Sequence, residues 1–361
     1  MWNVAWKKRM SYFKYYPLEV NDEVYELRLK INMTGKRLRV LLSNEFSHED
    51  LKIRQIDVSL DQKNYLPLTF SKQKECCIKA NQKLYSDPIS INIDPEYIYL
   101  RIISSSSKIY TLGQTKDDEL ISINGHIGYY FGVESIEIDN PKEFPSICFF
   151  GDSLTDQSFF TSPFTKYLYQ ETIYTTYNCG ISGNRMLRDA DSVSLWESSF
   201  GQAGLSRFEK DVFSQTNPEI VIVLIGINDL YHPGNGSPLE QLPTTYELIN
   251  GLKSMINIAN KHHCLCVPCT IPPFKGTLYH GKDAWDLQRE KIRLQFNSWI
   301  RSLDLFIDVD DFVKGHDIQR LNECYDCGDH LHFNQQCGHD LGEYMYKYIK
   351  CLRKEDTNYE L

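Results

Sequence analysis

Alternation of apolar and polar positions dominates the first 140 residues. Tyr25, Leu27, Leu29 and Ile31 interleave with Glu26, Arg28 and Lys30. Ile56, Val58 and Leu60 repeat the pattern, as do Ile89, Ile91 and Ile93, then Ile98, Leu100 and Ile102. A period of two sets apolar side chains on one face of an extended strand and polar ones on the other. Turn residues such as Thr34-Gly35 and Asp94-Pro95 separate the runs, which predicts an antiparallel β-sandwich over residues 1–140. Ser104 to Ser107 reads as a loop, and Asn140-Pro141-Lys142-Glu143 as a linker into a second domain at 141–361.

After residue 145 the period changes. Apolar runs at 147–150, 220–226, 264–270 and 305–309, with a weaker one at 174–178, read as buried parallel strands. Between them, Tyr246, Ile249, Leu252, Met255, Ile256 and Ala259 keep helical spacing, as do Ile292, Phe296, Trp299, Ile300 and Leu303. Strands alternating with amphipathic helices predict an α/β fold with a doubly wound parallel sheet.

Composition narrows the function classes. The net charge of −9 argues against nucleic acid or an anionic membrane surface as partner, because both need basic patches. No apolar run approaches the length of a membrane span. The start, Met1 to Arg9, lacks the apolar centre of a secretory signal, and eleven cysteines is an odd number. Reduced thiols and a cytoplasmic location are the expectation. Oligomeric state is not legible.

Chemistry concentrates at the ends of the predicted parallel strands, where open α/β sheets place their ligands. Gly151-Asp152-Ser153-Leu154-Thr155-Asp156 follows the run Ile147–Phe150 and exposes one hydroxyl at the sheet rim. A serine hydroxyl needs a base to take its proton, and a histidine base needs a carboxylate to hold its tautomer. Asp329-His330-Leu331-His332 supplies both, with Asp329 three residues before His332. The oxyanion formed on attack needs fixed donors. Gly183, in Gly180-Ile181-Ser182-Gly183-Asn184, can offer a backbone N–H, and Asn228, in Gly226-Ile227-Asn228-Asp229, a side-chain amide.

These four ordered blocks resemble the SGNH (GDSL) hydrolases, over residues 145 to 350. The resemblance implies an esterase working through an acyl-enzyme, with Ser153, Asp329 and His332 as triad and Ser153, Gly183 and Asn228 as oxyanion donors. It implies no cofactor and no metal. Gln157 and Phe333 depart from the residues many members carry there, which bears on pocket shape. The stretch Arg37 to Phe46 also looks like the jelly-roll-like module that precedes some SGNH domains.

Other readings compete locally. Asp229 is expected to cap a following helix. His330 is expected to be a solvated or rim residue. Cys264, Cys266, Cys269, Cys324, Cys327, Cys337 and His339 contain zinc-like spacings, but the first three fall on an apolar strand that turns side chains to opposite faces. Thr270-Ile271-Pro272-Pro273-Phe274 is either a pocket wall or a plain loop. Ser182, Asn184, Arg185, His232, Gly234 and Asn235 suggest a shallow polar rim. That rim favours a short acyl ester, acetyl above all, on a small molecule or an oligosaccharide. Lysophospholipase and thioesterase are the alternatives, and a carbohydrate-binding protein is the rival of another class.

Overall fold

The computed structural model describes residues 1–20, 23–94 and 96–357, with side chains to Arg353. Pro95 of the expected Asp94-Pro95 turn lies outside the described residues. Strands β1 (Trp2–Lys8), β2 (Tyr25–Lys30), β3 (Gly35–Ser43), β4 (Leu51–Ser59), β5 (Ile89–Ile93), β6 (Tyr97–Ser104), β7 (Thr111–Thr115), β8 (Ile121–Ile123) and β9 (Gly128–Asp139) form an antiparallel sandwich. One layer runs β8–β2–β6–β4 and the other contains β5–β3–β9–β1. The alternating runs lie side by side: Leu100 stands opposite Leu27 on β2 and opposite Val58 on β4. Those apolar rows meet Leu38, Val40 and Ile136 of the other layer in one buried core.

The second half alternates as predicted. β10 (Ser146–Gly151), β11 (Thr175–Gly180), β12 (Ile220–Leu224) and β13 (Leu265–Pro268) pair in parallel, in the order β11–β10–β12–β13. Helices cover both faces, so strand residues are buried on both. Phe149 points to α2 (Thr161–Glu171), where it meets Phe160 and Phe164 edge-on. Its neighbour Phe150 points the other way, against Phe208 of α3 (Gly204–Phe213). α5 (Thr245–Lys261) and α6 (Leu287–Ile300) share the α3 face, and α8 (Gln335–Thr357) joins α2. α5 starts at a capping box in which Thr244 and Glu247 each accept from the other's backbone. The fold is thus a doubly wound α/β sheet preceded by an antiparallel β-sandwich.

The run 305–309 is a correction. It forms no strand; Ile307 makes a single parallel bridge to Cys269. Asp308 turns the chain instead, accepting from Thr270 (2.9 Å), from Arg301 (2.7 Å) and from the Asp311 amide, and so opens the short α7 (Val309–Val313).

Strand β1 links the two halves. It pairs antiparallel with β9 and, at its end, parallel with β11 through Lys7↔Tyr177 and Lys8↔Asn178. The sandwich layer and the parallel sheet are therefore one continuous sheet. The cations Lys7, Lys8 and Arg9, which read as a polar start to the chain, are 3–5% exposed. Lys7 donates to the Asp211 carbonyl (2.7 Å), Lys8 to the Asp156 carbonyl (2.6 Å), and Arg9 pairs with Glu45 (2.8 Å) and Asp211 (3.1 Å).

Candidate active site

The Gly-Asp-Ser turn is forced by close approach. A Cβ on Gly151 would lie 2.2 Å from the Leu224 carbonyl oxygen and 2.3 Å from Thr155 Oγ1. Asp152 then caps the single-turn helix α1 (Ser153–Asp156), its Oδ1 accepting from the Leu154 amide. Ser153 is the first residue of α1, so its N–H has no partner within the helix. Its Oγ is 2.8 Å from His332 Nε2. On the far side of the ring, His332 Nδ1 is 2.7 Å from Asp329 Oδ2, while Asp329 Oδ1 accepts from the amides of Leu331 and His332. Nδ1–H donates to a carboxylate, which leaves Nε2 as the acceptor facing the serine. Burial would raise the Asp329 carboxyl, but the His332 hydrogen bond and the two amides hold it well below the usual carboxylate range.

Gly183 has φ +76°, and a Cβ there would also fall 2.1 Å from the Phe200 ring, so only glycine fits the turn. Asn228 sits on the short helix α4 (Ile227–Tyr231) beyond β12. Its Nδ2 donates to the Asn184 carbonyl (3.1 Å) and its Oδ1 is 3.1 Å from His232 Nε2. Burial, helped by the Arg185 charge, pushes His232 down to about 3. The ring is neutral at working pH, so Nε2–H donates to Oδ1. That contact fixes which end of the Asn228 amide faces the cleft.

A buried polar network carries this turn to the sandwich. Asp156 Oδ2 accepts from the amide (3.1 Å) and hydroxyl (2.8 Å) of Ser182, the residue before Gly183. Gln114 of β7 donates to the same Asp156 oxygen and to Ser182 Oγ, each at 2.5 Å. Lys8 of β1 completes the set, 3.2 Å from Asp156 Oδ1.

Ser153, Gly183, Asn228 and His332 open together onto a cleft of about 470 Å³. The sandwich contributes Phe13, Gln114, Lys116 and Tyr129 to its walls. No sequence signal pointed to these four, because each lies on a strand or loop far in the chain from the catalytic blocks. Gln157 lines the cleft, in keeping with an effect on its shape, whereas Phe333 is buried in the α2–α8 core.

Several expectations are corrected. Asp229 caps nothing: its carboxylate accepts from the amides of Met186 (2.6 Å) and Leu187 (2.9 Å) and so ties α4 to the Gly183 turn. Asn184 and Arg185 are not rim residues but buried, because they support the turn from behind, whereas His232, also buried, does line the cleft. Thr270 to Phe274 is not a cleft wall; Ile271 and Phe274 are core residues. His330 is solvated, as expected; it lies outside the cleft with its Nδ1 2.5 Å from Asp326. Cys264 and Cys266 face one side of the sheet and Cys269 the other. Among the described residues, the cluster with metal-ligand spacing is Asp326, Cys327 and Asp329. Two of its members are already held, by His330 and His332. No helix among the described residues is long and apolar enough to cross a membrane.

A family profile described as GDSL-like lipase/acylhydrolase matches residues 149–340. No curated protein sequence matches the chain significantly. Solved structures with similar coordinates include a carbohydrate acetylesterase, Est24, from Sinorhizobium meliloti. It is 16% identical with a TM-score of 0.45, over 58% of this chain and 99% of that one. A GDSL-like lipase from Bacteroides thetaiotaomicron is 18% identical with a TM-score of 0.41, over 58% and 88%. The aryl esterase of M. smegmatis is 15% identical with a TM-score of 0.43, over 58% and 99%. With the profile spanning all four motif blocks, the chain belongs to the GDSL-like lipase/acylhydrolase family and is an ester hydrolase.

Proposed function

We propose that the protein hydrolyses short acyl esters, acetyl above all, carried on a carbohydrate alcohol. His332 Nε2 takes the Ser153 proton as Oγ attacks the ester carbonyl carbon. The oxyanion that forms is held by the N–H groups of Ser153 and Gly183 and by Asn228 Nδ2. Collapse breaks the bond to the alcohol oxygen, which receives the proton from His332. Water then attacks the acyl-enzyme, His332 again takes the proton, and the acid leaves as the proton returns to Ser153. Asp329 stays ionised and steadies the imidazolium in both halves.

The observation that carries the substrate class is the lining of the cleft. Among the described residues, Leu331 is the one aliphatic side chain lining it; the other side chains are aromatic rings or hydrogen-bonding groups such as Gln114, Gln157 and Ser182. A fatty acyl chain gains its affinity from continuous apolar burial, at roughly 0.8 kcal/mol per CH₂. Pyranose rings instead offer one apolar face to an aromatic ring and a rim of hydroxyls to polar groups. A chain-length series tests this: kcat/KM is expected to peak at acetyl among acetyl, butyryl, octanoyl and palmitoyl p-nitrophenyl esters. A maximum at octanoyl or longer overturns the reading in favour of a lysophospholipase or thioesterase.

A further inference from the structure

The wall of the cleft opposite the catalytic loops is braced before any substrate arrives. Phe13 meets Tyr129 edge-on at 5.3 Å and Trp196 at 6.2 Å, and Trp196 is stacked on Tyr16 at 4.0 Å. The Lys14 amide donates to Ser198 Oγ (3.2 Å) and pins the loop that carries Trp196 to the segment that follows β1. Trp196 keeps 38% of its surface exposed. It is a fixed aromatic platform with an open face, the geometry that stacks on a sugar ring.

Lys116 lines the same cleft. Its backbone N–H donates to the Gln157 carbonyl (3.0 Å), so the strand end that carries it is tied to the serine loop. Lys116 is exposed and forms no ion pair among the described residues. Of the acids that follow it in sequence, Asp117 accepts from the Glu119 amide (3.0 Å), Glu119 pairs with Lys166 (2.6 Å), and the exposed Asp118 is not among the residues that line the cleft. Among the described residues, no carboxylate lines the cleft. In a chain of net charge −9, the described residues that line the cleft thus include one lysine or arginine, Lys116, and no carboxylate.

We infer that the leaving alcohol is an anionic saccharide, whose carboxylate or sulfate pairs with Lys116 while a ring stacks on Trp196. The inference rests on the esterase reading above and narrows it. An acetyl group fills only a small part of a 470 Å³ cleft, so most contacts fall to the alcohol. A charge at the mouth also raises the local concentration of an oppositely charged substrate.

The experiment compares three acetylated oligosaccharides: one neutral, one built of uronic acids, one sulfated. The wild type is expected to show kcat/KM about tenfold higher on an anionic substrate than on the neutral one, a ratio that shrinks with added salt. Lys116→Ala is expected to bring the ratio to about one and Lys116→Glu below one, chiefly through KM. The uronate and sulfate arms distinguish the two sources of charge. Binding of the deacetylated oligosaccharides to Ser153→Ala, followed by calorimetry, supplies a readout that needs no turnover. Equal kcat/KM for neutral and anionic substrates, or a ratio that survives Lys116→Glu, overturns the inference and leaves the esterase reading standing. Failure of the wild type to hydrolyse p-nitrophenyl acetate overturns both.

Discussion

The candidate triad and the seam beneath it are built in opposite ways. Asp329 and His332 are three residues apart and find each other within one loop, and the serine they serve arrives on a tight turn. The seam joins residues that are remote in sequence: Lys8 to Asp156, Gln114 to Ser182, Arg9 to Asp211. Local hydrogen bonds leave a spacing that can be read along the chain. Long-range ones leave only residue types, and a lysine or a glutamine gives no hint of its partner. The catalytic chemistry is a property of short blocks, whereas its rigidity belongs to the sheet that β1 holds together.

Breaking the local half has the largest effect. Ser153→Ala is expected to lower kcat by on the order of 10⁶ while leaving the melting temperature within about a degree, as steady-state assay and calorimetry would show. Asn228→Ala removes a donor that acts on the transition state, so kcat falls by about 10²–10³ with a smaller change in KM. His232 works through that amide. His232→Ala is expected to cost about tenfold in kcat, and His232→Gln, which keeps a donor, to recover part of it. If Gln behaves no better than Ala, the contact to Asn228 Oδ1 is merely structural.

Breaking the seam trades rate for stability. Lys8→Met leaves the buried Asp156 carboxylate without its cation, which is expected to cost about 3–5 kcal/mol in chemical denaturation. Burial lowers the Lys8 ammonium from its ordinary value against the pull of Asp156, which is the same tension seen from the lysine. Gln114→Ala should lower kcat by roughly tenfold through a loosened Ser182–Gly183 turn, at a cost of about 1–3 kcal/mol. An unchanged kcat would show that the sandwich supports the fold but not the turn.

The smallest effect is a slope. Burial raises the Asp152 carboxyl from 3.8 to about 7 and Asp229 to about 6. Asp152 Oδ2 has no partner, in keeping with a neutral group. The folded protein keeps protons there that the unfolded chain loses, so these two groups stabilise at low pH. Their contribution is lost as pH rises from about 4 to about 7. Asp152→Asn keeps the cap on Leu154 and is expected to flatten the fall of melting temperature across that window. An identical slope in the variant would assign the pH dependence elsewhere.

Much of the architecture was legible because periodicity reports burial. The runs at 147–150 and 220–226 became central strands, and the alternating runs became sandwich neighbours in register. The failure at 305–309 has a plain cause: apolar content alone does not make a strand when Asp308 can cap a helix. Asn184 and Arg185 were misplaced for a related reason. Polar residues in a loop suggest solvent, yet here each satisfies buried groups behind the Gly183 turn. The walls of the cleft were out of reach, since Phe13, Lys116 and Tyr129 meet Ser153 only after the sandwich has folded against it.

The central claim is that Ser153 is the nucleophile of an ester hydrolase whose oxyanion site is already in place. A serine-reactive p-nitrophenyl phosphonate tests it most directly, with peptide mass spectrometry to locate the adduct. The account predicts one phosphonyl group per chain, on the peptide containing Ser153, with loss of esterase activity in step with labelling and no adduct in Ser153→Ala. Labelling at another serine, or full activity in a protein labelled at Ser153, would contradict it.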